Sequence, residues 1–161
     1  LAINLATAIL AASVIAFYQD TIEKVVALAV LMPIVASMGG IAGTQSLTVL
    51  IRAMAMGQIN DRTEIWLVRR EIFVSIINGL IWAFVIAVIA AYWFDDTTLG
   101  LIIAFAIIIN LITAGIAGAS LPLILDRLRI DPALAGGVVL TTITDVVGFF
   151  AFLSVAAYFY N

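Results

Sequence analysis

The sequence has no cysteine and no histidine among its 161 residues. Without thiols there is neither a disulfide framework nor a thiolate metal site. Without imidazole, most zinc and iron sites and the usual general base are excluded as well. Any metal bound by this chain is held by oxygen, which points to hard cations such as magnesium or calcium. Charge is also scarce. Charged residues make up 11% of the chain against 65% hydrophobic, and the mean hydropathy is +1.27. A soluble domain is roughly half apolar, so composition alone predicts an integral membrane protein. The formal net charge of −3 gives no basis for a nucleic-acid partner. No nucleophile–base pair and no cofactor loop is present, so the chain does not read as an enzyme.

What the sequence has is long apolar runs. A membrane helix takes about 20 apolar residues. Five segments suit, at roughly 1–18, 23–52, 68–94, 98–125 and 132–160. They predict an all-α fold of five spans, one transmembrane domain covering residues 1–161. The polar junctions between them read "QDTIEK", "RAMAMGQINDRTE", "DDTT" and "DRLRID". Arg52, Arg62, Arg69 and Arg70 flank the second junction, Arg127 and Arg129 sit in the fourth, and Lys24 lies at the first. Basic residues mark the cytoplasmic side, so the N-terminus is expected inside and the C-terminus outside. Trp66, Trp93, Tyr18, Tyr92, Tyr158 and Tyr160 fall near span ends, as interface aromatics do, while Trp82 lies mid-span. The chain begins at Leu1 in apolar sequence without a basic n-region. It reads as a membrane domain taken from a longer chain rather than as a signal peptide.

One acid stands out. Asp145, in "TTITDVVGFF", has no basic residue near it in sequence and lies deep in the last span. A carboxylate at bilayer depth costs about 2.5 to 3.5 kcal/mol on insertion scales and therefore faces protein or water. Helical spacing puts Thr141, Asp145 and Gly148 on one face, with Thr144 beside Gly148. A narrow polar stripe with one acid suits an aqueous cation path. The plainer reading is a protonated Asp bonded to a neighbouring helix. In the second span, "MPIVASMGGIAGTQSLTVL" holds Pro33, which frees a backbone carbonyl one turn earlier. Gly39 and Gly40 there permit local unwinding or close approach of another backbone. Ser37, Thr44 and Thr48 add hydroxyls along one face, and Gln45 adds an amide. The plainer reading of Gly39 and Gly43 is a GxxxG packing motif, and a second copy of the same helix as its partner would reconcile the two.

Other polar residues read as structural. Asn78, Asn110 and Asn4 are expected to bond to neighbouring helices, and Ala114 and Gly118 to pack as a small-xxx-small pair. Asp95 and Asp96 read as a solvated turn, and Arg69-Arg70-Glu71 as an interfacial anchor.

Taken together, "PIVASMGG", "AGTQS", "DPALAGG" and "LTTITDVVGFF", in this order and at this separation, resemble the membrane domain of the MgtE magnesium channels. The likeness covers essentially the whole chain. It implies a homodimer whose pore runs along the two-fold axis, lined by the second and fifth spans. Asp145 of each subunit would hold a largely hydrated Mg2+, sharing it with the backbone carbonyl of Thr141. Gly39, Gly40, Thr44, Thr48 and Gly148 would line the path. Mg2+ is then the cargo, with other divalent cations as competitors, and the setting is the plasma membrane. The likeness also implies cytosolic gating domains outside this chain. Two departures touch the implied path: Ile41 stands where the family usually has Asn, and Gly137 where it can carry a polar residue. Two rival readings remain at this level. One is a proton- or sodium-coupled transporter of divalent cations, for which a broken helix with a midplane acid is the signature. The other is a non-conducting assembly module.

Overall fold

The computed structural model of the chain describes residues 1–59 and 61–160, without the side chains of Asp61 and Arg62. The expected cytoplasmic role of Arg62 therefore lies outside the described residues. Six helices follow in order: α1 (Ala2–Phe17), α2 (Gln19–Lys24), α3 (Ala27–Ala55), α4 (Asp61–Phe94), α5 (Thr97–Arg127) and α6 (Pro132–Tyr160).

Four of these, α3 to α6, are long and apolar enough to cross a membrane. They match the second to fifth expected segments to within a few residues, except that α4 begins earlier. The first segment forms α1, whose 16 residues span about 24 Å at 1.5 Å per residue, short of the ~30 Å hydrocarbon core. The whole first junction, expected only as a polar link, is the short helix α2, in which Gln19 Nε2 donates to Glu23 Oε1 at 2.8 Å.

Local chemistry sets the ends. Gly57, at φ +64°, closes α3 with its own N–H to the Met54 carbonyl and the Gln58 N–H to the Ala53 carbonyl. This satisfies carbonyls that the helix end leaves open. Asp131 caps α6 through the Ala133 N–H at 2.8 Å, and Pro132 takes the first helical position, where no N–H is needed. Asp96 caps α5 by accepting from the Thr98 and Leu99 N–H groups at 2.8 and 3.1 Å. The Tyr160 hydroxyl also donates to Asp96, at 2.5 Å, clasping the start of α5 to the end of α6. Of the two acids in the "DDTT" turn, Asp96 is thus a built cap, while Asp95 is exposed as expected.

These bonds, led by the one from Tyr160, hold the Asp96 carboxyl below its ordinary value of 3.8. A depressed carboxyl contributes stability above its unfolded value, and that contribution is lost as pH falls through the folded value. Asp96→Ala should cost about 1 kcal/mol, the usual worth of an N-cap. The check is thermal unfolding of both chains between pH 3 and 7. The difference should be largest near neutrality and shrink below about pH 4.

Helix α5 sits at the centre and packs on α3, α4 and α6, while α1 lies on the outside of α6. Small residues make the close crossings. A Cβ built on Gly118 of α5 would lie 2.5 Å from the Gly43 carbonyl oxygen of α3, and one on Gly100 would lie 2.6 Å from the Ala87 carbonyl oxygen of α4. The pairs Val35–Gly148, Gly43–Leu140 and Leu47–Gly136 show that α3 and α6 run antiparallel. The partners of Gly39 and Gly43 are α5 and α6 of the same chain. Helix α3 also continues unbroken through Pro33 and Gly39-Gly40. The two glycines serve close packing here, and no local unwinding accompanies them.

Candidate functional site

The face shared by α3 and α6 gathers most of the residues singled out in the sequence. Ser37, Thr44 and Thr48 are exposed along α3, and Thr141 and Asp145 are part-exposed along α6. Gly40 joins the two rows, since a Cβ there would lie 4.0 Å from Thr141 Cγ2. In the antiparallel register Asp145 is level with Ser37 and Met38, and Thr44 lies about 9 Å further along the helix axis. No hydrogen bond or ion pair reaches Asp145 among the described residues. The hydroxyls turn back onto their own helices. Thr44 donates to the Gly40 carbonyl at 2.7 Å, Thr48 to that of Thr44 at 2.7 Å, and Thr141 to that of Gly137 at 3.0 Å. Each oxygen is left as an acceptor on an exposed face. Thr144 donates to the Thr141 carbonyl at 3.1 Å, in addition to the helical bond which that carbonyl accepts within α6.

Gly39 and Gly148, expected on the path, lie instead on the buried sides of α3 and α6, one layer behind it. Both face Asn110 of α5. A Cβ on Gly39 would lie 2.3 Å from Asn110 Nδ2, and one on Gly148 2.6 Å from it. The expected polar stripe of α6 therefore splits: Thr141 and Asp145 face outward, while Thr144 and Gly148 are buried. Asn110 is fully buried and donates to the Val35 carbonyl at 2.7 Å, the interhelical bond the sequence suggested. Its Oδ1 is buried without a partner among the described residues. Asn78 differs from that expectation: it is exposed and makes no hydrogen bond among the described residues.

Glu71 corrects another expectation. Arg69 and Arg70 are exposed, and Arg70 lies 5.7 Å from the Trp66 ring centroid, as an anchor would. Glu71 itself is buried and accepts from Ser46 Oγ at 2.9 Å. The signal was present but unread: Glu71, Ser75 and Asn78 follow at offsets of four and three, one face of a helix. Ile41 and Gln45 lie on the α4 side of α3, around a cavity of about 210 Å³ that Asn78 and Trp82 also line.

The described residues contain no group of three or more His, Cys, Asp or Glu side chains able to hold a metal. One chain alone thus offers a divalent ion one carboxylate on the α3–α6 face.

A family profile, MgtE, described as divalent cation transporter, matches residues 32–155. The chain is 34% identical over 151 residues to the magnesium transporter MgtE of Bacillus subtilis, covering 94% of this chain and 34% of the relative. It is 32% identical over 156 residues to the magnesium transporter MgtE of Thermus thermophilus, covering 97% of this chain and 34% of that one. The chain therefore spans about a third of the length of the curated relatives it matches. With its apolar helices and its polar α3–α6 face, this multi-pass membrane chain belongs to the MgtE family.

Proposed function

We propose that the chain is the ion-conducting domain of a magnesium channel, built as a homodimer with α3 and α6 of both subunits around the path. The observation that carries this reading is Asp145, midway along α6, part-exposed and unpartnered beside a row of threonine oxygens. An ionised group in such a place faces water or a partner, not lipid. Two copies across a two-fold axis supply two carboxylates, which balance one divalent charge. Magnesium dehydrates reluctantly and takes few direct protein ligands. Asp145, with the Thr141 carbonyl, is the central site, and Gly40, Thr44 and Thr48 line the approach. The resemblance supports a plasma-membrane setting, α1 as a fifth span, an internal N-terminus, an external C-terminus and cytosolic regulatory domains in the longer protein. The unbroken α3 removes the discontinuous helix on which the coupled-transporter reading drew.

Magnesium uptake into proteoliposomes tests the reading, comparing the chain with Asp145→Asn at matched reconstitution. Uptake should fall about tenfold, equivalent to about 1.4 kcal/mol, with assembly unchanged. Equal uptake by the two chains would remove Asp145 from the path.

A further inference from the structure

A second polar surface lies on the other side of α3, facing α4. Glu71 is 8% exposed, and its single hydrogen bond comes from Ser46. No cation pairs with it among the described residues, and Arg69 and Arg70 are exposed. A buried, unpaired carboxylate is costly unless a countercharge or hydrogen bonds compensate it. Glu71 borders a cavity of about 210 Å³ that Ser46, Ser75, Gln45 and Asn78 also line. Ser75 is 6% exposed and, like Gln45 and Asn78, makes no hydrogen bond among the described residues. Lipid tails cannot satisfy two amides and a carboxylate, so these groups call for water or another polar partner.

The geometry points to a second cation site in this groove, one that takes a hydrated divalent ion. It stands apart from the α3–α6 face and does not depend on that reading. All of its groups offer oxygen, the donor set of a hard cation. At ~30 Å³ per water the cavity has room for about seven water molecules, enough for an ion with its shell. The Glu71 carboxylate supplies the charge, and the hydroxyl and amide oxygens accept hydrogen bonds from the shell. Magnesium commonly binds in this way, through one or two carboxylates with most of its waters kept.

The test is Mn2+ binding, counted by electron paramagnetic resonance on the 161-residue chain in zwitterionic nanodiscs, in an Asp145→Asn background that weakens the other site. One saturable ion per chain is expected. Adding Glu71→Gln should weaken it at least tenfold, and cobalt(III) hexaammine, whose ligand shell does not exchange, should compete for it. If Glu71→Gln does not fold, Gln45→Leu with Asn78→Leu, both at exposed positions, should weaken binding several-fold. Absence of the ion in Asp145→Asn alone, binding untouched by these substitutions, or no competition by the hexaammine complex would each overturn the proposal. Sodium displacing Mn2+ at matched ionic strength would overturn it as well.

Discussion

Asp145→Lys should reduce magnesium flux to the background of empty liposomes. In the proposed dimer it replaces two negative charges at the path with two positive ones. A unit charge about 5 Å from another contributes about 3 kcal/mol at an effective dielectric constant of 20, and a divalent ion doubles this. The change of sign therefore far exceeds the ~2.7 kcal/mol that a hundredfold loss requires. Asp145→Asn keeps an oxygen at the position and removes only charge, so it should leave measurable flux. The pair is read by uptake in proteoliposomes, with size-exclusion profiles confirming equal assembly. Normal flux through the lysine chain would move the path away from α6.

Gly118→Ala should be among the most damaging single-methyl changes. The added carbon would meet the Gly43 carbonyl oxygen at 2.5 Å, Ser46 Cβ at 2.9 Å and the Leu47 nitrogen at 3.2 Å. Two of these are backbone atoms, so α3 and α5 must separate to admit it. Overpacking of this kind costs about 1–3 kcal/mol, more than the ~1 kcal/mol that alanine gains over glycine in a helix. Gly137→Ala is the control, because nothing lies within 4 Å of its added carbon. It should be neutral or slightly stabilising. Thermal unfolding in detergent distinguishes the two. Equal midpoints would mean that the α3–α5 crossing is looser than described.

The apolar runs made α3, α5 and α6 legible, because length and hydropathy decide what crosses a membrane. The Asn110 bond was legible for the same reason: a polar group inside such a run must answer to something. Which face each residue takes was harder. Gly39 and Gly40 are neighbours in sequence, yet one faces Asn110 and the other Thr141. A turn of 100° decides between them, and only the positions of α5 and α6 fix that turn. Pro33 suggested a break that does not occur, because one missing N–H leaves the rest of α3 bonded. Glu71 was misread by its neighbours, since two arginines beside it suggested an interface while its own side chain turns inward to Ser46.

The central position of α5 has a consequence for synthesis. Helices α3 and α4 emerge before α5, but they share few contacts with each other and each packs mainly on α5. A nascent chain that ends before Thr97 therefore carries α3 and α4 without the helix on which both pack. Asn110, which holds the Val35 carbonyl, and Gly118, which admits Gly43, both arrive later. Assembly of the bundle is thus tied to the insertion of one helix, and chains interrupted ahead of it should be cleared by membrane proteases rather than persist as partial bundles.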